Sequence, residues 1–376
     1  MLLSAGSNAH GQLANGSLDD SHFFPPCCFS GCAPETLLAG RTLLHLAFGA
    51  NHTLALLKFW ESGITELWGC GDGRGRRAGQ LSQSYNLAGD SDGTVVRPLD
   101  LSLERHRLEG YLPPLVAASW ETRYARRRDL HGRGRFRGSG DRREAGGKSP
   151  AKNTIHIVRF DHLEQNGVAV DEDSLLVESL AAGQHHVVLG DVEKSFVSAP
   201  ALISADESIV FAALGHQLHT AGIVFGFGSN KKRQLDGIDA ITRTRSVACN
   251  WNGTHITTTG DGDTWELLPA GNNASGQLGR DSQGHLARVE FPCTPATHRL
   301  LQVAYGCEHV LASFIVLGSS TTEVWGRGWN EHWNLGVGTR EDVRVPVKIW
   351  PSDASQASSG DVAIWAGSRT SWIVVQ

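Results

Sequence analysis

Short apolar runs separated by polar turns recur along nearly the whole chain. Clear examples lie at residues 53–57, 155–160, 223–227 and 372–376. The runs are rich in valine, isoleucine, leucine and phenylalanine, and the run at residues 223–227 is followed directly by Gly228. Runs this short, with these boundaries, indicate β-strands rather than helices. The pattern therefore predicts an all-β protein built from many short strands.

A turn pattern follows several of these runs, and we call it the opening motif. It reads Gly-x-Asn, two free positions, one variable position, Gln or Asn, and then Leu. Clear copies run over Gly6–Leu13, Gly228–Leu235, Gly271–Gly279 and Gly328–Gly336, and a looser copy runs from Gly71 to Leu81. Glycine supplies a positive φ, and asparagine caps the turn through its own side chain. The motif predicts a strand that ends in a tight turn, after which the leucine returns the chain to the core.

A second pattern, the closing motif, reads Ala-x-Gly-x-x-His. Clear copies are Ala47–His52, Ala181–His186 and Ala304–His309, and degenerate copies are Ala117–Thr122, Ala248–Gly253 and Trp365–Thr370. A unit that repeats in this way is stronger evidence about the fold than any single motif. Six closing motifs against five opening motifs indicate that one opening motif has been lost, between Tyr124 and Leu175.

The alternation of the two motifs resembles the repeats of the regulator of chromosome condensation family. This resemblance implies a β-propeller, which holds a chain of 376 residues in a single domain, residues 1–376. We expect six or seven blades, because the connection from Asp191 to Thr220 has room for a further pair of strands. In such propellers the two termini pair within one blade, which here would join Met1–Ser4 to the last strand.

A basic segment, residues 126–152, interrupts the repeats. Between Arg126 and Lys148 the chain carries nine basic and three acidic residues, and it shows no alternating apolar strand. The segment is interpreted as a mobile basic loop, as an artefact of the gene model such as a retained intron, or as an arm that contacts RNA. In the last case the contacts would come from an aromatic residue and its neighbouring arginines. These candidate residues are Arg133, Arg135, Phe136 and Arg137.

The sequence offers little chemistry. It contains no nucleophile motif and no phosphate-binding loop of the required spacing, so we expect no catalytic residue, cofactor or metal and no enzyme activity. His52, His186 and His309 occupy one repeated position, which favours buried hydrogen-bonding residues over metal ligands. Seven cysteines, an odd number, favour free thiols in a reducing compartment. A net charge of −5 argues against nucleic-acid binding other than through the basic segment.

The family resemblance implies protein binding. One branch of the family promotes guanine-nucleotide exchange on a small GTPase, and another acts as an adaptor. The turn Gly328–His332, with Trp325 before it, resembles propellers of both kinds. Among them are the fungal alpha-tubulin-suppressor proteins, which partner a small zinc protein in diphthamide synthesis and in wobble-uridine modification of tRNA. Because no basic arm precedes Gly6, we favour a compact monomeric adaptor in the cytoplasm, and in part the nucleus, with no membrane contact.

We expect the partner surface at the exposed aromatic and charged positions of the last opening motif. These residues are Trp329, Glu331, His332 and Trp333. Tryptophan is frequent among residues that dominate binding energy at protein interfaces. The alternative is that Trp329 and Trp333 pack between neighbouring blades, where they would stabilise the fold instead.

Overall fold

The computed structural model describes residues 1–32, 40–71, 93–99, 230–241, 243–259, 264–280, 286–319, 321–353 and 361–375, and strand backbones between residues 112 and 228. In these parts the chain is nearly all β, with a single 3-10 turn at Ile238–Ala240. The first strands are β1 (Leu2–Gly6), β2 (Arg41–Phe48), β3 (His52–Phe59), β4 (Thr65–Gly71), β5 (Arg97–Pro98), β6 (Leu112–Ala118), β7 (Arg123–Arg128), β8 (Gly134–Ser139), β9 (Ile155–Val158), β10 (Glu164–Gln165), β11 (Val168–Ala169), β12 (Val177–Ala182) and β13 (Val187–Asp191). The remaining strands are β14 (Pro200–Asp206), β15 (Ile209–Leu214), β16 (Ile223–Gly228), β17 (Thr244–Asn250), β18 (Gly253–Thr259), β19 (Trp265–Gly271), β20 (His298–Tyr305), β21 (His309–Val316), β22 (Thr322–Gly328), β23 (Val343–Trp350), β24 (Val362–Ala366) and β25 (Thr370–Val375).

The chain divides into two compact units. Unit 1 comprises Met1–Ser7, Asp19–Pro26 and Val197–Gln376, and unit 2 comprises Asn8–Leu18 and Cys27–Phe196. The sheets of unit 1 have the strand orders β1-β25-β24, β14-β15-β16, β17-β18-β19 and β20-β21-β22-β23. Those of unit 2 have the orders β2-β3-β4-β5, β6-β7-β8-β9, β10-β11 and β12-β13. All of these strand pairs are antiparallel.

The two ends of the chain meet in one sheet. Strand β1 pairs antiparallel with β25, and Leu3 lies opposite Ile373. The predicted pairing of the termini is therefore confirmed. It gives β25 a partner on each side, so that its backbone groups are not left at an open edge.

The closing motifs mark the junctions between consecutive antiparallel strands. All six copies lie at such junctions, namely β2 to β3, β6 to β7, β12 to β13, β17 to β18, β20 to β21 and β24 to β25. The connection from Asp191 to Thr220 contains a further pair, β14 and β15, without a closing motif. The structure therefore contains the further pair of strands that the sequence allowed in this connection. The number of blades remains a prediction.

The best-described core belongs to unit 1. One apolar cluster joins Leu3 of β1 to Val324 of β22 and Ile364 of β24, and it contains the fully buried Leu335 of the last opening motif. A second cluster packs the rings of Trp265 and Phe314 at 4.8 Å between centroids. The leucine of the opening motif thus returns the chain to the core, as its position in the motif predicts.

The basic segment contains strands that the sequence pattern did not predict. The sequence shows no alternating apolar pattern between Arg126 and Lys148, yet β7 extends to Arg128 and β8 spans Gly134–Ser139. These strands pair with each other, and β8 also pairs with β9. Backbone hydrogen bonds of a ladder need no alternation of apolar side chains, which explains why the pattern missed them. The interpretations of residues 126–152 as a basic loop and as an artefact of the gene model both remain predictions. Part of that range lies outside the described residues.

No helix in the described part of the chain is long and apolar enough to cross a membrane.

The repeated histidine has the buried role that its position predicts. His309 is fully buried, and its Nε2 lies 3.2 Å from the carbonyl oxygen of Thr370. His52 is also buried, and His186 lies outside the described residues. Burial lowers the pKa of His309 to about 4.

We expect this depressed pKa to make the fold acid-sensitive. A histidine in the unfolded chain has a pKa of about 6.5. The fold accepts only the neutral imidazole, so its stability is full above about pH 6.5 and decreases as the pH falls towards about 4. Between about pH 7 and about pH 4.5, the wild-type chain should lose about 2 kcal/mol more stability than His309→Gln. Urea unfolding at both pH values measures the difference, with His10→Gln as the control. Equal pH dependence in the wild type and His309→Gln would contradict the assignment.

Candidate functional site: the opening turn at residues 328–336

The turn begins at a glycine that touches a closing motif. Gly328 ends β22 with a φ of 103°, and a Cβ atom there would lie 2.3 Å from the carbonyl oxygen of Glu308. The opening glycines of the other described copies meet the equivalent carbonyl, as in Gly6 on Arg369, Gly71 on Asn51 and Gly271 on Asn252. The two repeated motifs are therefore in direct contact, which explains why both recur.

The asparagine closes the turn with its side chain. Asn330 is fully buried, and its Oδ1 accepts a hydrogen bond of 2.9 Å from the backbone N–H of Leu335. Its Nδ2 donates to the carbonyl oxygens of Thr339 at 2.7 Å and Glu341 at 3.2 Å. The same leucine N–H to asparagine Oδ1 bond occurs in the copies at Asn8, Asn230 and Asn273. The predicted capping role of this residue is confirmed.

The variable position of the motif requires a left-handed backbone. Two copies place glycine there, Gly11 with a φ of 77° and Gly276 with a φ of 79°. The other two copies whose turns the structure describes place Arg233 at 63° and Trp333 at 55°. A side chain in this region costs roughly 1–2 kcal/mol relative to glycine. The last copy therefore holds a large aromatic residue where the turn itself favours glycine.

Trp333 lies in a stack of aromatic and charged side chains. Its ring lies 4.2 Å from that of His22, with an angle of 29° between the planes. The guanidinium carbon of Arg340 lies 3.9 Å from the centre of the same ring. His22 belongs to a segment of unit 1, Asp19–Pro26, which is tied to the turn by a 3.0 Å hydrogen bond from Gly338 N–H to the His22 carbonyl. The N-terminal part of the chain thus completes this surface.

The remaining predicted residues lie beside Trp333. The Nδ1 of His332 lies 3.4 Å from an Asp20 carboxylate oxygen. The ring of Trp329 meets that of His332 edge to face at 5.4 Å, and the guanidinium carbon of Arg369 lies 5.9 Å from the Trp329 ring. Glu331 is exposed. The structure therefore brings Trp329, Glu331, His332 and Trp333 together in one turn.

Both tryptophans are half-buried, and their rings contact charged and polar side chains near the surface. The fully buried tryptophans of the same unit are Trp350 and Trp372. Trp333 and Trp329 are therefore partly open to solvent, a condition that a partner surface requires.

Sequence reasoning missed four members of this surface. They are His22, Phe23, Arg340 and Arg369. Phe23 has 65% of its surface exposed, the second most exposed large apolar residue among those described. These residues come from three separate segments and share no motif. The sequence signal available was the pair Phe23-Phe24 ahead of two prolines, but no motif placed that pair beside the turn at residues 328–336.

The basic candidates stand apart. Arg133 lies outside the described residues. Arg135, Phe136 and Arg137 lie on β8 of unit 2, where the backbone alone is described. Their contact with a nucleic acid remains a prediction.

The described residues contain no cluster of three or more histidine, cysteine, aspartate or glutamate side chains that could hold a metal ion. None of the seven cysteines forms a disulfide, and Cys27, Cys70, Cys293 and Cys307 are buried. Burial raises the pKa of Cys70 to about 12, so this thiol stays protonated at neutral pH.

Comparison with known proteins shows what class of fold these motifs build. No protein-family model matches the sequence, and no curated protein matches it. The structure of human WBSCR16, a β-propeller of RCC1 repeats, aligns with a TM-score of 0.64 at 15% identity, covering 100% of this chain and 99% of that one. Prp20p from Saccharomyces cerevisiae, studied for its binding to Gsp1p and histones, aligns with a TM-score of 0.45 at 13% identity, covering 99% and 90%. Yeast RCC1 (Prp20) in complex with Kap60 aligns with a TM-score of 0.46 at 14% identity, covering 99% and 88%.

The match to WBSCR16 carries the assignment. The protein is an all-β protein of the β-propeller class. This is the fold that the resemblance of the opening and closing motifs to the regulator of chromosome condensation repeats implies.

Proposed function

We propose that the protein is a non-enzymatic adaptor that binds protein partners through the surface around the opening turn at residues 328–336. The observation that carries this proposal is the left-handed φ of 55° at Trp333. Backbone strain tends to persist where function needs it. Two other copies of the motif place glycine at this position, so the turn itself does not need a tryptophan.

The composition of the surface supports the proposal. Trp329, Trp333 and Arg340 are of the residue types that most often dominate the energy of protein interfaces. The aromatic rings are held in place by His22, His332 and the two arginines, which limits the side-chain entropy that binding would remove.

The more specific part of the proposal rests on the resemblance of this turn to that of the fungal alpha-tubulin-suppressor proteins. On that basis the partner is a small zinc protein, and the protein acts in the cytoplasm, and in part the nucleus, as an accessory factor for diphthamide synthesis and tRNA wobble-uridine modification. The second candidate function is guanine-nucleotide exchange on a small GTPase.

Affinity purification of the tagged protein from its own cells, with and without added GTP or EDTA, separates these functions. The adaptor function predicts a small zinc protein recovered together with translation or tRNA-modifying factors, in amounts that do not depend on nucleotide. A GTPase enriched only after its nucleotide is removed would overturn the adaptor function and establish the exchange factor.

Trp333→Gly is expected to separate binding from folding. The substitution relieves the backbone strain at the left-handed position, roughly 1–2 kcal/mol. It also removes the cation–π and stacking contacts of the Trp333 ring, whose stabilising free energy is of similar magnitude, so the two effects offset each other. The melting temperature should therefore change little, while recovery of the partner should fall at least about tenfold, as for loss of an interface hot spot. Thermal unfolding and quantitative mass spectrometry measure the two effects.

The matched control is Arg233→Gly, which makes the same change at the same motif position of another copy. It should leave recovery of the partner unchanged. Full recovery of the partner by Trp333→Gly would show that the partner binds elsewhere.

A further inference from the structure

Two arginines stack on the two tryptophans of the candidate turn. Arg340 lies 3.9 Å from the centre of the Trp333 ring, and Arg369 lies 5.9 Å from that of Trp329. The arginines come from different segments, one following the turn and the other from the junction between β24 and β25. The backbone N–H of Trp329 donates a 2.9 Å hydrogen bond to the backbone carbonyl of Glu308, in the neighbouring closing motif. The turn therefore holds the Arg340 guanidinium against one ring, and the Arg369 guanidinium lies over the other.

Neither guanidinium group forms an ion pair or a side-chain hydrogen bond with another described residue. Several acidic residues are nearby in sequence, but they have other roles or face solvent. The Asp342 carboxylate accepts a 2.9 Å hydrogen bond from the Asn330 N–H, and Glu331 and Glu341 are exposed. Stacking occupies the face of a guanidinium and leaves its edge donors available for bidentate contact with a carboxylate. Orientation by the ring reduces the entropy lost when such a contact forms.

An exposed apolar side chain lies on the same surface. Phe23 is 65% exposed and follows His22, which stacks on Trp333. Its ring rests against Gly338, where a Cβ atom would come within 3.1 Å of it. The absence of a side chain at Gly338 thus leaves room for the phenylalanine ring beside the turn. A ligand that reaches Arg340 can therefore also bury an apolar group against Phe23.

The charges of the surface favour a protein over a nucleic acid. A phosphate backbone carries a charge at every nucleotide and would meet Glu331, Glu341 and Asp342 as well as the arginines. The chain as a whole carries a net charge of −5. A protein segment, in contrast, can carry carboxylates at the positions that face the arginines and uncharged residues elsewhere.

We infer that the partner of this surface presents an acidic segment, in which carboxylates contact Arg340 and Arg369 and a neighbouring apolar side chain packs on Phe23. This inference rests on the proposed function, because it names the chemistry of the partner at the same site. It makes the two stacked arginines the determinants of specificity, whereas Trp333 and Trp329 supply position and contact area.

Peptide selection tests the inference at this surface, whatever the identity of the natural partner. A phage library of random peptides of about twelve residues is panned on the full-length protein. Bound clones are then compared on the wild type, on Arg340→Gln/Arg369→Gln, on Trp333→Gly and on Arg299→Gln. The last of these removes an exposed arginine on β20 as the control. Matched melting temperatures establish that the variants are folded.

The expected result is a set of Trp333-dependent clones rich in aspartate and glutamate beside aromatic or aliphatic residues. As synthetic peptides they should bind the double arginine variant about tenfold more weakly than the wild type or Arg299→Gln, an effect of about 1.4 kcal/mol. Replacing the peptide carboxylates with amides should weaken binding to the wild type by a similar factor and have little effect on the double variant.

Two results would overturn the inference. Trp333-dependent clones that are neutral or basic would refute the acidic partner and leave the proposed function standing. Polyuridylate that binds the wild type but not the double variant, in the absence of acidic clones, would show that the arginines serve a nucleic acid. A complete lack of Trp333-dependent clones would instead count against the proposed function itself.

Discussion

Replacing Gly328 with alanine is expected to lower the free energy of unfolding by about 3–5 kcal/mol, among the larger effects of a single substitution. The new Cβ atom would lie 2.3 Å from the Glu308 carbonyl oxygen and 2.8 Å from the Cα of His309. Both are backbone atoms of the neighbouring closing motif, so the clash cannot be relieved by a side-chain rotation. The φ of 103° adds strain of its own. Urea unfolding followed by tryptophan fluorescence measures the loss.

Gly318→Ala provides the control for the backbone contribution. Gly318 also has a positive φ, 95°, but a Cβ atom there would meet nothing within 4 Å. Its substitution should cost only the conformational strain, roughly 1–2 kcal/mol. If the two variants lost the same stability, the contact between opening and closing motifs would not be the reason for the repeated glycine.

Asn330→Ala is expected to cost about 3 kcal/mol, because it removes three hydrogen bonds, among them the one that satisfies a buried backbone N–H. The partners in these bonds are Leu335, Thr339 and Glu341. Each buried group that loses its partner incurs a desolvation penalty, whereas an exposed one is satisfied by water. Chemical denaturation gives the change in stability.

The exposed copy of the motif offers the comparison. Asn230 makes the same bond to Leu235 at 2.9 Å, but it is open to solvent. Asn230→Ala should therefore cost less than about 1 kcal/mol, the usual net value of a solvated hydrogen bond. A loss at Asn230 equal to that at Asn330 would mean that the motif acts through local turn geometry rather than through burial.

The sequence predicted the parts of the fold that its repeats encode. The copies of Gly-x-Asn predicted the strand ends and the turn caps, and the resemblance of the two motifs to a known family implied the propeller. The pairing of β1 with β25 followed from the family resemblance and is confirmed at Leu3 and Ile373. These features depend on short-range backbone geometry, which a repeated pattern reveals.

The sequence did not predict features that depend on long-range contacts. It assigned Trp333 to the variable position of the motif, but it gave no sign of the left-handed backbone there, because a φ of 55° cannot be recognised when glycine is replaced. It did not place His22 or Arg340 beside that ring, because the first is more than three hundred residues away and neither belongs to a motif. Strands β7 and β8 also escaped prediction, since their ladders form from backbone groups.

The central claim is that the surface around Trp333 binds a protein. Site-specific photo-crosslinking in the cells of origin tests it most directly, with a photoreactive amino acid at the exposed position of Glu331 and, as the control, at the exposed Glu290. The account predicts a cross-link from position 331 to another protein that disappears when Trp333→Gly is added, and no such product from position 290. A chain that cross-links no partner from position 331, or the same partners from both positions, would contradict it.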